Sequence, residues 1–337
     1  MKRILNSRRF VPWNRAVEST PITIGDRAFT GRGGRMANID FSDKVAIVTG
    51  GGRGIGRAYA LLLASRGAAV VVNDPGVQPR GEDPDASVAV EVVKEIEAAG
   101  GRAVASLDSV ATVEGGAAIV ETALNAFGRV DLLVHNAGVV AASTFADQPI
   151  EEVHTTLAVH LLGAWHVGQP AWRDMEKRGY GRIVLTTSMA QFGHFRQPAY
   201  SAAKTGVIGL VKSLAHEARH KDIDIKVNAV APLAGTRLAR TEDKERWGEL
   251  IAPENVAAVA AYLLSSECPV SGEVIHAGGT HFARGFLAQT RGWSSGVSPL
   301  TPEQVRRHFD EAFDRDNYEI PADANDQMEI VKRTVLG

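Results

Sequence analysis

Residues 45–56 read VAIVTGGGRGIG, an apolar, largely β-branched run that leads into a glycine-rich segment. Such short continuous runs are typical of parallel strands that are buried on both faces of a sheet. The glycines permit a tight turn and let backbone amides approach a phosphate at the start of the next helix. We therefore predict a strand, a turn and a helix that bind a dinucleotide pyrophosphate through Gly50, Arg53, Gly54, Ile55 and Gly56.

The same alternation of apolar runs and amphipathic segments continues to about residue 280. Predicted strands occupy residues 45–48, 69–73, 103–106, 132–135, 183–187, 226–231 and 274–276. Predicted helices include residues 57–66, 88–99, 117–127 and 201–220. Repeated strand and helix units predict an α/β fold, a single Rossmann-like doubly wound parallel sheet with helices on both faces, over residues 36–280.

The two ends of the chain differ in composition from this domain. Residues 1–35 carry eight Lys and Arg against Glu18 and Asp26 and show no strand or helix period, which predicts a disordered basic leader. A mis-assigned start site or a targeting peptide are alternative interpretations of that segment. Residues 281–337 are interpreted as a C-terminal helical appendage, because Thr301, Pro302 and Gln304 are typical of a capped helix start.

Composition excludes several classes of protein. The chain has 337 residues, of which 45% are hydrophobic and 23% charged, as in ordinary globular proteins. The formal charge of -2 provides no overall field that attracts nucleic acid. Cys268 is the only cysteine, so neither an internal disulfide nor a cysteine-based zinc site can form. No apolar run approaches the ~18 residues of a membrane helix. We expect a cytoplasmic protein with no membrane or nucleic-acid partner.

An acidic residue at the end of the second predicted strand indicates which dinucleotide is bound. Asp74 follows Asn73 and lies 24 residues beyond Gly50. A carboxylate there can accept hydrogen bonds from both hydroxyls of an adenosine ribose and repels a 2′-phosphate. This favours NAD over NADP, although Arg53 could pair with that phosphate.

A second group of residues points to proton transfer. Tyr200 and Lys204 lie one turn apart on a predicted helix and therefore share a face. A lysine ammonium beside a phenol lowers the phenol pKa, which makes tyrosine usable as an acid or base. Ser188 follows a predicted strand upstream, and His135-Asn136-Ala137-Gly138 ends another.

Residues 41–280 resemble the short-chain dehydrogenase/reductase family. The resemblance rests on Thr-Gly-x-x-x-Gly-x-Gly at 49–56, Asn-Ala-Gly at 136–138, a serine before Tyr-x-x-x-Lys at 200–204, and Pro232 after Asn228. It implies an oxidoreductase in which Tyr200 exchanges the proton, Ser188 hydrogen-bonds the substrate oxygen, and Lys204 holds the nicotinamide ribose. The other cofactor contacts that it implies are Asp108, Ser109, Asn136, Ala137, Gly138 and Pro232.

The sequence departs from the family pattern at two positions. The family serine usually stands thirteen residues before the tyrosine, which selects Thr187, whereas counting forward from the strand selects Ser188. His160 occupies a position where most members carry an asparagine that supports a proton-relay water. A similar histidine occurs in the hydroxyacyl-CoA dehydrogenase branch of multifunctional β-oxidation enzymes, which also serve as hydroxysteroid dehydrogenases. His160 is either a catalytic residue or a core histidine.

These observations predict an NAD-dependent oxidoreductase for a secondary alcohol or ketone, a 3-hydroxyacyl-CoA or a hydroxysteroid. The alternatives are a 3-oxoacyl thioester reductase using NADPH and a non-catalytic nicotinamide-sensing Rossmann protein. We expect the substrate pocket to comprise residues 141–145, 189–197 and 233–247, where Arg237, Arg240 and Lys244 either meet a CoA phosphate or form a solvated lid.

Two further expectations concern partners. The resemblance implies a homo-tetramer or homo-dimer through the Tyr200 helix and its neighbour. That helix is also apolar on more than one side, at Val207, Leu210, Val211, Leu214 and Ala215.

The His-Glu-x-x-His zinc pattern is matched at residues 216–220, His216-Glu217-Ala218-Arg219-His220. Sixteen residues of helix place this segment about 24 Å from Tyr200, so we expect no metal.

Overall fold

The computed structural model describes residues 38–78, 84–236 and 248–336. Strands within these residues are β1 (Val45–Thr49), β2 (Ala69–Asn73), β3 (Arg102–Ser106), β4 (Leu132–His135), β5 (Tyr180–Thr186), β6 (Asp224–Leu233), β7 (Val274–Gly278), β8 (His281–Gly285), β9 (Gln289–Thr290) and β10 (Tyr318–Glu319). Helices are α1 (Gly54–Ser65), α2 (Ser87–Ala98), α3 (Val113–Phe127), α4 (Ile150–Leu157), α5 (Gly163–Arg178), α6 (Pro198–His220), α7 (Pro253–Leu264), α8 (Pro302–His308) and α9 (Ala324–Leu336). A π-helical turn, Ala158–Leu162, joins α4 to α5, and 3₁₀ turns lie at Met189–Phe192, Gly248–Ile251 and Phe309–Phe313.

The described strands β1 to β8 form one sheet in the order β3-β2-β1-β4-β5-β6-β7-β8. All neighbours pair in parallel except β7 and β8, which are antiparallel. The predicted fold class is therefore confirmed. Since β1 pairs with β2 on one side and β4 on the other, the winding reverses beside β1 and opens a crevice at the carboxyl ends of these strands.

Helices cover both faces of the sheet and explain why its strands are apolar throughout. Every residue of β2, which reads AVVVN, is buried. One core lies between the sheet and α1, α2 and α7, and a second lies between the sheet and α3, α5 and α6. Burial on both faces holds the strands in register, so that their carboxyl ends meet along one edge.

Local sequence sets the ends of the helices that approach this edge. Thr112 caps α3 by accepting a hydrogen bond from the Gly115 amide at 3.0 Å, and Gly128 ends that helix with a φ of 77°. Pro198 stands in the first turn of α6, where its missing amide proton costs nothing. Tyr200 and Lys204 therefore lie in the first two turns of α6.

The region after residue 280 contains more strand than the sequence predicts. β8 adds an antiparallel strand to the main sheet, and β9 pairs with β10 in a two-stranded ribbon. Thr301 and Gln304 form the predicted capping box, but α8 ends at His308 and Phe309–Phe313 continues as a 3₁₀ turn. The boundary at residue 280 stays a prediction, and residues 1–35 lie outside the described residues. None of the helices in the described ranges is long and apolar enough to cross a membrane.

Candidate active site

The glycine-rich turn packs so closely that side chains would not fit. A Cβ atom at Gly56 would lie 1.9 Å from the Gly50 carbonyl oxygen, and one at Gly50 would lie 2.8 Å from Ala137 Cα. Gly50 also has a φ of 62°, which favours glycine. The turn ends at the N-terminus of α1, where Gly54 and Ile55 begin the helix. This narrow backbone cradle at a helix N-terminus fits the pyrophosphate of a dinucleotide.

Asp74 holds the glycine-rich turn as well as facing the crevice. Its Oδ2 accepts a hydrogen bond from the Gly52 amide at 3.0 Å, and its Oδ1 accepts one from the Gly76 amide at 2.8 Å. Each carboxylate oxygen has a second lone pair, so both can still accept from ribose hydroxyls. The position therefore fits the predicted adenosine contact.

A cavity of about 380 Å³ lies beside the turn, between α1 and α2. Arg53 and Arg57 line it together with three acidic residues, Asp85, Glu91 and Glu95. Arg57 pairs with Glu95 at 2.6 Å. The guanidinium of Arg53 thus shares this cavity with three carboxylates. Their negative charge disfavours binding of a 2′-phosphate, which Arg53 alone would attract.

The remaining predicted cofactor residues lie along the same edge of the sheet. Asn136 Nδ2 donates to the Gly50 carbonyl at 3.3 Å, which joins the Asn136–Gly138 loop to the glycine-rich turn. Asp108 follows β3 and accepts from Ser106 Oγ at 3.0 Å, and Ser109 is exposed beside it. Pro232 lies near the end of β6, opposite Ala277. The structure thereby brings residues from β1, β3, β4 and β6 to one crevice.

Tyr200, Ser188 and Lys204 come together at the carboxyl end of β5. Ser188 lies near the Tyr200 hydroxyl and lowers the pKa of Tyr200. Lys204 is buried, its Nζ donates to the Thr186 carbonyl at 2.6 Å, and this Nζ lies 5.6 Å from the centroid of the Tyr200 ring. A phenol, a hydroxyl and an ammonium thus surround one position at which an alcohol or carbonyl oxygen can be held.

The two candidate hydroxyls have different partners. Thr187 is fully buried, and its Oγ1 donates to the Lys204 carbonyl at 2.7 Å. Ser188 Oγ instead accepts from the Ala190 amide at 3.1 Å, a bond that does not use its own proton, and the side chain lowers the pKa of Tyr200. This geometry supports Ser188 as the hydroxyl that faces substrate, because the Thr187 proton is already bonded to the main chain.

Burial shifts the pKa values of Tyr200 and Lys204. It raises the pKa of Tyr200 above its ordinary value of 10.0, an effect that the nearby Ser188 side chain partly offsets. It also lowers the pKa of Lys204 to about 7. The expected lowering of the Tyr200 pKa by Lys204 is therefore not observed, because removal of both groups from water disfavours their charged forms.

His160 lies beside Tyr200 on the π-helical turn. Its ring is edge-on to the Tyr200 ring, with centroids 5.0 Å apart. Its Nε2 lies 2.8 Å from the Val139 carbonyl oxygen and 3.2 Å from the Val139 amide nitrogen, and the shorter contact assigns the ring proton to Nε2. Nδ1 has no hydrogen-bond partner among the described residues. Burial lowers the pKa of His160 well below 6.5, so the ring is neutral. A neutral imidazole with an open acceptor therefore borders the tyrosine.

The glycine of the Asn-Ala-Gly loop makes room for this histidine. A Cβ atom at Gly138 would lie 2.6 Å from His160 Cε1. Two features that the sequence analysis treated separately, the loop and the histidine, therefore depend on each other.

Two of the predicted substrate-pocket segments meet at the mouth of the crevice. Arg196 Nη2 donates to the Ala142 carbonyl at 3.4 Å and so links residues 189–197 to residues 141–145. Phe145, Phe192 and Phe195 expose 87%, 76% and 81% of their surfaces. Large apolar side chains left open to water indicate a surface for an apolar ligand. Of the third segment, Arg237, Arg240 and Lys244 lie outside the described residues.

A contact between β7 and the turn after Ser188 was not predicted from the sequence. Gln191 Nε2 lies 2.8 Å from His276 Nε2, and the Phe192 ring stacks on His276 with centroids 5.6 Å apart. Gln191 Oε1 also lies 3.3 Å from Thr187 Oγ1, farther than the Lys204 carbonyl that receives the Thr187 proton. No sequence pattern indicates this contact, because 85 residues separate its partners.

The His-Glu-x-x-His segment at the far end of α6 makes ion pairs. His216 Nδ1 lies 3.2 Å from Asp323 Oδ2, just before α9 begins, and Glu217 pairs with Lys221 at 2.7 Å. No group of three or more potential metal ligands occurs in the ranges that the structure describes.

Comparison with known proteins identifies the relatives of this chain. The family model for short chain dehydrogenases matches residues 44–247. A short-chain type dehydrogenase/reductase of Mycobacterium tuberculosis is 45% identical over 266 residues, 79% of this chain and 92% of that protein. The peroxisomal multifunctional enzyme type 2 of Mus musculus is 39% identical over 290 residues, 83% of this chain but only 38% of that longer protein. A solved 7α-hydroxysteroid dehydrogenase, complexed with NADH and 7-oxo glycochenodeoxycholic acid, is 30% identical, with a TM-score of 0.64 over 72% of this chain and 95% of its own.

Proposed function

Because the chain belongs to the short-chain dehydrogenase family of oxidoreductases that act on CH–OH groups, we propose that it transfers hydride between NAD and a secondary alcohol or ketone. The observation that carries this proposal is the meeting of Ser188, Tyr200 and Lys204 beside the glycine-rich crevice. Their presence argues against a protein that only senses nicotinamide, since such a protein needs no proton-transferring group.

In the direction of oxidation, Tyr200 Oη accepts the proton of the substrate hydroxyl. Ser188 donates a hydrogen bond to the same oxygen and stabilises the negative charge that develops there. Lys204 supplies a nearby positive charge and a donor for the nicotinamide ribose. When bound, nicotinamide accepts the hydride that leaves the carbinol carbon. Reduction reverses the transfer, and the Tyr200 hydroxyl then protonates the substrate oxygen.

We infer that the preferred cofactor is NAD. The residues that would hold it are those of the glycine-rich turn, Asp74 beside the ribose, and the Asn136–Gly138 loop. Asp74 and the acidic cavity around Arg53 both disfavour a 2′-phosphate. The solved hydroxysteroid relative, which contains NADH, supports the same choice.

We propose a 3-hydroxyacyl thioester as the substrate and a hydroxysteroid as the second candidate. The resemblance at His160 to the hydroxyacyl-CoA dehydrogenase branch supports the first, and the complex with a bile-acid derivative supports the second. The exposed phenylalanines of the pocket suit either an acyl chain or a steroid ring. A 3-oxoacyl thioester reductase that uses NADPH is the alternative, and the acidic cavity disfavours it.

The proposal is tested by absorbance at the nicotinamide band with a panel of 3-hydroxyacyl-CoA esters, hydroxysteroids and the matching ketones, each with NAD and NADP. We expect turnover with NAD and its loss in Tyr200→Phe, whose NADH binding, measured by fluorescence, stays close to that of the parent. Tyr180→Phe, a tyrosine at the start of β5 away from the crevice, is the control. Full activity in Tyr200→Phe would contradict the mechanism, and a preference for NADPH would favour the reductase. A cytoplasmic location stays a prediction.

A further inference from the structure

His135, the last residue of β4, joins the cofactor turn to the segment that carries His160. Only 2% of its surface is exposed, and in the parallel register it lies opposite Thr49, the last residue of β1. Its Nδ1 lies 3.2 Å from Thr49 Oγ1, and its Nε2 lies 3.2 Å from the Val159 carbonyl oxygen. The imidazole therefore connects the end of β1 to the π-helical turn.

The partners of Thr49 determine which nitrogen of His135 carries the proton. Thr49 Oγ1 accepts hydrogen bonds from the Asn136 amide at 3.0 Å and the Ala137 amide at 3.1 Å. Both of its lone pairs are then occupied, so its own proton must be donated to His135 Nδ1. Nε2 carries the ring proton and donates it to Val159, because a carbonyl oxygen can only accept. Burial, followed by the charge of Lys204, lowers the pKa of His135 to about 3, so the ring stays neutral.

The carbonyl that receives this proton belongs to the π-helical turn. The Gly163 amide donates to the Ala158 carbonyl, five residues back, whereas in an α-helix it would donate to Val159. In the wide turn the Val159 carbonyl therefore does not receive the hydrogen bond from the Gly163 amide. His135 donates to the Val159 carbonyl instead. A Cβ atom at Gly163 would lie 3.0 Å from His135 Cε1, so the glycine makes room for the imidazole.

We propose that His135 is a positioning residue that clamps this wide turn and thereby holds His160 edge-on to Tyr200. The inference rests on the proposed function, because it assigns a purpose to the contact between His160 and Tyr200. The other end of the ring fixes Thr49 and the Asn136–Ala137 amides. One imidazole therefore couples the geometry of the nicotinamide crevice to that of the proton-transferring tyrosine.

Three variants of the full chain test the clamp by steady-state kinetics. His135→Leu removes the donor to Val159, and we expect kcat to fall about 10- to 100-fold with little change in KM, since small misplacements near reacting groups carry such costs. His135→Gln, whose amide nitrogen can replace Nε2, should recover most of the loss. His166→Leu is the matched control, because His166 also bonds a main-chain carbonyl, that of Val110 at 2.9 Å, but this carbonyl does not belong to the π-helical turn. We expect its kcat to equal that of the parent.

A double-mutant cycle tests whether His135 acts through His160. In a His160→Leu background, His135→Leu should cause little further loss of kcat, because the positioned group is already gone. Additive losses would overturn the proposal, as would a parent-like kcat in His135→Leu or an equal loss in His166→Leu.

Hydrogen exchange provides a measure that needs no turnover. We expect the amides of residues 158–164 to exchange faster in His135→Leu than in the parent, and at the parental rate in His135→Gln and His166→Leu. Unchanged exchange in His135→Leu would overturn the clamp. If the parent were inactive with every substrate of the panel, the proposed function would fail, yet the exchange measurement would still decide the structural role of His135.

Discussion

Thr187 and Ser188 follow β5 as adjacent hydroxyl side chains, but the partners of the two hydroxyls differ. Thr187 donates to the Lys204 carbonyl inside the core, whereas Ser188 faces Tyr200. A hydroxyl that stabilises charge in a transition state affects kcat strongly, and one that satisfies a buried carbonyl affects stability.

We therefore expect Ser188→Ala to lower kcat by about 10²- to 10³-fold with an unchanged melting temperature. Thr187→Val should lower kcat less than about 10-fold but reduce the free energy of unfolding by about 0.5–1.5 kcal/mol, because it removes the hydrogen bond to the Lys204 carbonyl. Steady-state kinetics and chemical denaturation of both variants check this. The reverse pattern would assign the substrate hydroxyl to Thr187.

Asp74 is expected to set the preference for NAD. In Asp74→Ser, loss of the carboxylate should raise KM for NAD about 10-fold or more and raise the ratio of kcat/KM for NADP to that for NAD. The measurement compares both cofactors at fixed substrate. Glu91→Gln, which changes one charge of the neighbouring cavity, is a control for the general field and should shift the ratio less. An unchanged ratio in Asp74→Ser would remove this residue from cofactor selection.

The pH dependence follows from the raised pKa of Tyr200. Oxidation requires the phenolate, so its rate should climb with pH from about 7 to 10, whereas reduction requires the phenol and should stay nearly constant over the same range. Lys204, with a pKa of about 7, contributes less positive charge as the pH rises. Since Ser188 lowers the pKa of Tyr200, residual oxidation in Ser188→Ala should rise at higher pH than in the parent. Oxidation that is independent of pH would exclude Tyr200 as the acceptor.

At the scale of elements, α9 is attached to the body of the protein by a few specific contacts. Asp323 accepts from the Asn325 and Asp326 amides at the start of the helix and also pairs with His216 on α6. Ile330 is 3% exposed, whereas its neighbour Val331 is 42% exposed. One face of α9 is therefore buried although no sequence period had predicted the helix.

We expect Ile330→Ala to lower the free energy of unfolding by about 2–3 kcal/mol, because it leaves a cavity under α9. The matched Val331→Ala, on the exposed side, should change it by less than about 0.5 kcal/mol. Denaturant unfolding measures both. Equal effects would mean that α9 does not pack through Ile330.

At the scale of the whole molecule, the structure changes the reason for expecting an oligomer. Val207, Leu210, Val211 and Ala215 of α6 are buried within the chain itself, and Leu214 is half-buried against the same core, so these five side chains do not form an open apolar face. Leu162, the last residue of the π-helical turn, and Trp165, near the start of α5, each expose 45% of their surfaces. The tetramer or dimer stays a prediction and now depends on α5.

Sedimentation should therefore give the mass of a homo-tetramer or homo-dimer for the parent chain and a smaller mass for Trp165→Glu, since a charge in an apolar interface disfavours association. Arg173→Glu, a surface change on the same helix, is the control. A monomeric parent, or a Trp165→Glu variant with the parental mass, would remove α5 as the contact.

The fold and the chemical class follow from local patterns in the amino-acid sequence. Continuous apolar runs specify parallel strands because both faces of such a sheet are buried, and the glycines at 50–56 are required wherever the backbone must approach a phosphate. Tyr200 and Lys204 could be paired from their spacing, because helix geometry places them on one face. These features are local, so their spacing along the chain is enough to predict them.

The atoms that face each other across the crevice are brought together by folding and could not be paired from the sequence. The different partners of Thr187 and Ser188, the clamp from His135 to Val159 and the acidic surrounding of Arg53 all join segments that are distant in sequence. Burial, which only the folded chain creates, raised the pKa of Tyr200 where spacing alone had suggested a lower one. The physical reason is that hydrogen-bond direction and desolvation depend on three-dimensional neighbours, and a linear pattern does not contain them.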